Sequence, residues 1–348
     1  MESANDRLHY FYHVRLRHPM LTNAIDSVRQ IVVPGSPTNL ILLVGPTGVG
    51  KTTLGHFVVK QIIADAAEEM KRDPQLMPAV MWESPLASEH FSFASWYTEG
   101  SQALGAPLAS RTKETRSVDD YVYQISTSSP SVTALRDGMI GAAKNIRARV
   151  GVIDEGAHII NGAYGEKLIG RANALKSLSN SAGMKLVLLG SYDLYRLVDA
   201  SGQLSRRMEV VHFPRYRAGK EHSVEAINKN GTTTRTDGTE VFQAFAKRLA
   251  TYLPIEEPFN IVPYAEQLHD ACLGIPGILK DTLHRALTKA VLENKGRLHE
   301  RHLERALLTK KQRQVIYDET VKGEADVSDG LFDSGMFTRT DDRQRKAG

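Results

Sequence analysis

Residues 45–52, Gly-Pro-Thr-Gly-Val-Gly-Lys-Thr, constrain the fold of this chain more tightly than any other stretch. They fit G-x-x-x-x-G-K-[ST] in full, follow the apolar run Leu40–Val44 and open a helical pattern, the setting in which such a motif has meaning. Glycines let backbone N–H groups curl around an anion without Cβ clashes, and a helix N-terminus turns its partial positive charge to the same point. Gly45, Pro46, Thr47, Gly48, Val49, Gly50, Lys51, Thr52 and the adjoining Thr53 therefore read as a polyphosphate cradle. Lys51 is expected to supply a point charge to the β- and γ-phosphates of ATP, and Thr52 a hydroxyl ligand for Mg2+.

Four more short apolar runs, Ala79–Glu83, Val150–Ile153, Lys185–Gly190 and Glu209–Phe213, alternate with helical patterns. Runs without polar alternation belong in a sheet covered on both faces, so the chain predicts an α/β core with a five-stranded parallel sheet over residues 36–217, after an N-terminal extension 1–35. The first helix is expected over Thr52–Lys71, with Leu54, Phe57, Val58 and Ile62 on one face. Beyond Pro214 the pattern changes: Asn228–Thr239 is polar, with Asn-Gly and Asp-Gly turn signals. Helical segments follow at Glu240–Tyr252, Val262–Cys272, Ile278–Lys295 and Glu300–Tyr317, predicting a small all-helical domain over 218–317. From Asp318 to Asp333 six acids stand against one Lys, and 318–348 is expected to be a disordered acidic tail. Its apolar cluster, Leu331, Phe332, Met336 and Phe337, reads either as a docking motif or as part of a passive tail.

The 348 residues carry 44 Lys+Arg against 40 Asp+Glu, a net of +4 that is unremarkable for this length. No apolar run approaches the ~20 residues of a membrane span, and Met1–Tyr12 lacks the apolar stretch of a secretion signal. Cys272 is the sole cysteine, which excludes an intramolecular disulfide and a multi-cysteine zinc site and favours the cytoplasm. Between Lys280 and Arg313 ten Lys/Arg face four Asp/Glu, which suits either nucleic acid or a solvated helix surface with internal ion pairs.

Val150-Gly-Val-Ile-Asp-Glu155 is an apolar run ending in two acids, at the strand edge where α/β folds bind ligands. Asp154 is placed to hold Mg2+, and Glu155 to act as general base on the attacking water. His158 lies one position too late for a D-E-x-H helicase. Ser191, after the fourth run, can orient that water or touch the γ-phosphate, or simply form a turn. Ser205-Arg206-Arg207 precedes the fifth run, where paired arginines either reach a neighbouring subunit's γ-phosphate or solvate a helix end.

From His18 to Leu308 the chain resembles an AAA+ ATPase, and more narrowly the TnsC/TniB family of transposon ATPases. The likeness rests on residues 43–54, Glu83-Ser-Pro85, Leu104-Gly-Ala-Pro107, Ile153-Asp-Glu-Gly-Ala-His-Ile159, Leu189-Gly-Ser191 and Gly274-Ile-Pro-Gly-Ile-Leu-Lys280. It implies a AAA+ core with a helical lid, assembling as a ring or filament on duplex DNA with ATP between protomers. It also implies a transposase and a TniQ-type target selector as partners. By position, Ser191 matches the first sensor, Arg206 or Arg207 the trans-acting arginine, and Lys280 the second sensor, where a lysine replaces the common arginine and its guanidinium fork. DNA contacts in such an assembly would go to phosphates. The candidates are Arg111, Lys113 and Arg116 in one expected loop and Lys167, Arg171 and Lys176 after the Asp-Glu pair. Rival readings are a replication initiator or loader, a signalling ATPase, and a nucleotide-binding scaffold without useful hydrolysis. The acidic C-terminus leaves little room for an initiator's DNA-binding domain, and no sensor repeats are present.

Overall fold

The computed structural model describes residues 4–86, 91–106, 113–118, 121–126, 130–200, 202–219, 222–227, 233–294 and 297–330. Two helices come first, α1 (Ala4–His13) and α2 (Pro19–Ile31), then β1 (Leu40–Val44), α3 (Lys51–Asp65), α4 (Ala67–Arg72) and β2 (Ala79–Glu83). After α5 (Phe93–Ala103) the strands β3 (Lys113–Val118) and β4 (Tyr121–Ser126) lead to α6 (Val132–Asn145) and β5 (Val150–Asp154). Next are α7 (Ala157–Ile160), α8 (Gly165–Ala182), β6 (Lys185–Gly190), a 3-10 segment (Tyr192–Ala200), α9 (Gly202–Ser205) and β7 (Met208–His212). The remainder comprises β8 (Val224–Ile227), β9 (Thr233–Thr236), α10 (Gly238–Ala250), α11 (Ala265–Ala271), α12 (Pro276–Asn294), α13 (Glu300–Glu304) and α14 (Lys310–Gly330).

The five apolar runs form one sheet in the order β2-β5-β6-β1-β7, every pair parallel. All five residues of β1 are buried, as a strand covered on both faces requires. Alternation along it sends Leu40, Leu42 and Val44 into one apolar layer and Ile41 and Leu43 into the other. Parallel pairing puts all five carboxyl ends on one edge, and Gly45, Ser84, Glu155, Ser191 and Phe213 follow the strands there.

The lid has its own core, built on Phe242, Leu249, Leu268, Leu279, Leu283 and Leu287. Phe11 of α1 is buried in it, whereas α2 lays Leu21, Ile25 and Val28 on the sheet layer, so the two halves of the N-terminal extension belong to different cores. Two glycines join lid and core. Gly277 donates its N–H to the Gly48 carbonyl at 2.8 Å, and a Cβ there would stand 2.2 Å from the same oxygen. Gly274, at φ +67°, accepts from the Tyr216 N–H at 2.9 Å, and its Cβ would fall 1.9 Å from the Tyr216 carbonyl oxygen.

Several expectations from the sequence are corrected. The helix expected over Thr52–Lys71 is two, because the Ala66 N–H is shared between the carbonyls of Ile62 and Ile63 and tightens the turn. The helix expected over Glu300–Tyr317 breaks after Glu304; Thr309 then caps α14 reciprocally with Gln312, each backbone N–H donating to the other's side-chain oxygen. Residues 113–116, expected in a loop, lie in the antiparallel pair β3–β4. The polar segment before α10 contains a second antiparallel pair, β8–β9, and the Asp237-Gly238 signal is the cap of α10, with Asp237 Oδ1 accepting from the Thr239 N–H at 2.8 Å. Residues 318–330 are helical, their acid Glu324 paired with Arg215 in the interior; the cluster Leu331 to Phe337 lies outside the described residues.

Gly277→Ala should lower stability by about 1–3 kcal/mol, because the methyl group must push the lid off the P-loop carbonyl. Urea unfolding of the two proteins checks it, and an unchanged midpoint would mean that the contact is looser than described.

Candidate nucleotide site

The P-loop leaves β1 at Val44 and becomes α3 at Lys51. Gly45 passes so close to the Phe213 carbonyl that a Cβ would stand 2.2 Å from it, while Gly48 and Gly50 take φ of +81° and +108°. These are the positions where only glycine fits without strain. Lys51 Nζ donates to the carbonyls of Gly45 (3.0 Å) and Pro46 (2.9 Å). Burial pushes its ammonium down to about 8 against the opposing pull of Glu155 and Asp154. That electrostatic coupling joins the P-loop to the acids at the end of β5.

Asp154 is buried at 8% exposure, and its Oδ1 accepts the Glu155 N–H at 3.0 Å. Glu155 itself is exposed and adopts φ +50°, one of three described non-glycine residues with positive φ. An unfavourable backbone held at an exposed carboxylate, beside a buried lysine, is the kind of strain that marks working sites. Ser84 donates its N–H to the Asp154 carbonyl at 2.8 Å, and its buried hydroxyl has no hydrogen-bond partner among the described residues. His158 Nδ1 lies 3.0 Å from the Ser84 carbonyl oxygen and fixes the neighbouring strand end.

Two cavities meet the P-loop. The larger, about 850 Å³, lies between Gly45–Thr47, Ser191, Tyr192 and α14. Ser191 is thus brought to the loop, its hydroxyl donating to Asp193 Oδ2 at 3.1 Å. The smaller, about 80 Å³, is lined by Gly48, Gly50, Thr53, His18, Phe245 and Lys280. Lys280 reaches this cavity but gives its Nζ to the Tyr12 carbonyl at 2.6 Å. Burial and then Arg15 push it down to about 8. Val14, Leu16 and His18 of the N-terminal segment line the small cavity. His18, which the sequence did not single out, accepts from the Leu21 N–H at 3.4 Å and lies 2.6 Å from the Tyr216 hydroxyl, with burial pushing it down to about 4.

The other candidates lie elsewhere. Arg206 and Arg207 are exposed, and the Arg207 carbonyl accepts from the N–H groups of Asn39 and Leu40. That places the pair at the amino edge of the sheet, one strand length from the P-loop, roughly 16 Å for a five-residue strand. Arg171 is committed internally, donating to the carbonyls of Ile159 and Asn161 at 2.7 Å each and lying over the Phe91 ring. Lys167 is exposed on the first turn of α8, and Lys176 approaches Gln203 Oε1 at 3.5 Å. Lys113 and Arg116 sit on β3, and Arg111 lies outside the described residues. In the basic stretch after Lys280, Arg297 pairs with Glu257, Arg305 with Glu293, and Arg285 donates to the Ala306 carbonyl, as a solvated, internally paired surface does.

The P-loop, the paired acids at the end of β5, the strand order and the helical lid define a AAA+ P-loop ATPase fold. Comparisons agree. The ORC2 protein of Aeropyrum pernix, solved as ADPNP–ADP complexes, is similar at 14% identity over 84% of this chain and 67% of that one, with a TM-score of 0.54. The Walker-type ATPase PABY2304 of Pyrococcus abyssi is similar at 16% identity over 91% and 78%, with a TM-score of 0.48. No curated protein sequence matches. The family model described as "Bacterial TniB protein" matches residues 120–218, a stretch that includes Asp154, Glu155 and Ser191. Over residues 120–218 the chain is thus similar to TniB proteins, within a fold of the AAA+ ATPase type. Among the described residues no helix is long and apolar enough to cross a membrane.

Because His18 is held neutral, the unfolded chain binds its proton first, at the ordinary value of 6.5. Stability from this site is full above 6.5 and lost as the pH falls towards 4, by up to about 3 kcal/mol. Thermal melts between pH 7 and 4.5 should show a smaller acid loss for His18→Asn than for the native chain.

Proposed function

We propose that this chain is an ATP-hydrolysing, DNA-bound oligomeric regulator of transposition, which marks target DNA and brings a transposase to it. The observation that carries the reading is the TniB match across residues 120–218, which includes the acids coupled to Lys51. The P-loop has a backbone suited to curling around a polyphosphate, since Gly48 and Gly50 take positive φ and Gly45 and Gly277 let neighbouring backbone pack where a Cβ would collide. Thr52 and Asp154 are the residues that would hold Mg2+, which when bound neutralises charge on the phosphates. Lys51 binds the β- and γ-phosphates, Glu155 takes the proton of the attacking water, and Ser191 orients that water. Arg206 and Arg207, at the far edge of the sheet, cannot serve their own P-loop, which supports a role at a neighbour's site and so an assembly in which each copy completes the next.

Duplex DNA is held through phosphates without dependence on sequence, by Lys113, Arg116, Lys167 and Lys176 among others. ATP closes the protomer contacts and hydrolysis releases them. A TniQ-type selector chooses the site, and the protein works in the cytoplasm.

Glu155→Gln should reduce hydrolysis by about 100-fold or more while nucleotide binding persists; Lys51→Ala should abolish binding. Phosphate release and fluorescent-nucleotide titration separate the two, and hydrolysis by Glu155→Gln at the native rate would remove the general base from the scheme.

The wider reading is tested by mass photometry and negative-stain microscopy of the protein on a non-specific duplex, with and without a slowly hydrolysed ATP analogue. Rings or filaments that need both ligands, with affinity falling steeply in salt, are expected. A monomer indifferent to DNA would favour a signalling or scaffold ATPase instead.

A further inference from the structure

Helix α14 runs back from the lid to the core and lies against the carboxyl edge of the sheet. Its inward residues recur at helical spacing: Thr320, Gly323, Glu324 and Val327 are all buried. Val327 is fully enclosed in the same apolar layer as Leu188 and Leu194. Gly323 crosses Tyr192 so closely that a Cβ would stand 2.1 Å from the ring, and the Tyr192 hydroxyl is in turn held 3.0 Å from His212 Nε2. Glu324 accepts from Arg215 Nε at 3.1 Å and from its Nη2 at 3.3 Å, in a pair largely shielded from water.

Docked in this way, α14 forms one wall of the large cavity whose opposite wall is Gly45–Thr47 and Ser191. Its Glu319 and Asp326 join Asp193 and Asp199 around that space, against Arg196 and Lys322, so the lining carries more negative than positive charge beside the loop that receives phosphates. Arg196 is itself engaged, donating to the Ala163 carbonyl. The helix therefore walls off one side of the phosphate end and adds negative charge to it. Its anchors to the core are the glycine-on-tyrosine crossing, the pairing of Glu324 with Arg215 and Arg217, the Arg215 guanidinium over the Tyr317 ring, and the buried Thr320 and Val327. All lie along one face of one helix, which can open without unfolding the domain beneath it.

We propose that α14 is an autoinhibitory strap: docked, it screens the phosphate end of the nucleotide site from a second copy of this chain, and undocked, it opens that side to ATP-dependent self-association. The inference rests on the oligomeric reading above. It gives α14 a role that neither the P-loop nor the lid requires.

The test uses the full-length chain and two substitutions at the anchor: Gly323→Leu, which collides with Tyr192, and Glu324→Arg, which faces Arg215 and Arg217 with like charge. Hydrogen exchange over residues 310–330 reports docking, and mass photometry with a slowly hydrolysed ATP analogue and duplex DNA reports assembly as protein concentration is raised. Both variants should lose protection in 310–330 and assemble at a concentration at least tenfold lower than the native chain. Reversing the pair, Arg215→Glu with Glu324→Arg, should return both readouts towards native. Loss of protection with an unchanged or higher assembly concentration overturns the strap, as does protection that survives both substitutions. If neither native chain nor variants assemble at the highest concentration, the oligomeric reading fails and takes the strap with it.

Discussion

The contact between the lid and the P-loop is made by backbone on backbone, and most of the site depends on it. Gly277 gives its N–H to the Gly48 carbonyl, and Gly274 receives the Tyr216 N–H. Neither approach tolerates a side chain. The first turn of α12 consequently leans on the loop that opens α3, and two helix N-termini converge near one point, where their partial positive charges add. His18, Tyr216 and Phe245 fill the angle behind this contact, and burial keeps His18 neutral so that no charge opposes the packing.

Around that joint the charges are arranged asymmetrically. Lys51 faces the buried Asp154 and the exposed Glu155 on one side of the loop, while Lys280 sits on the lid side and is turned to the end of α1. Tyr12 accepts from both Lys280 and Arg15, so the last turn of α1 gathers two cations where its carbonyls point outward. The small cavity at the P-loop is thus bordered by the N-terminal segment, the lid and the core together. A polyphosphate entering it would compete with carbonyl oxygens for both lysines.

The P-loop and the Asp-Glu strand end were legible in the sequence because their signals are local. A P-loop is a steric statement about glycines between a strand and a helix, and an apolar run ending in Asp-Glu is a statement about a strand end. The expected bounds of β1, β2 and β6 match those observed, since continuous apolar runs have few other places to go. The two hairpins escaped notice because Lys113–Val118 and Thr233–Thr236 are polar and become strands only by pairing with the segment beside them. Likewise Glu300–Tyr317 carries helical periodicity throughout, yet Thr309 and Gln312 start a new helix in a new direction.

By itself the sequence determined the parallel core, the glycine loop between β1 and α3 and the acids at the end of β5, because backbone sterics and burial of apolar runs act over a few residues. The tertiary structure alone decided where the long cations point and where the last helix goes. Arg171 and Lys280 are flexible side chains whose partners are carbonyls distant in the chain, and nothing near them in sequence names those partners. The acids of α14 have the composition of a solvated tail. They become part of a packed helix because Gly323 allows Tyr192 to approach, Arg215 meets Glu324, and Val327 finds a place in the sheet's apolar layer.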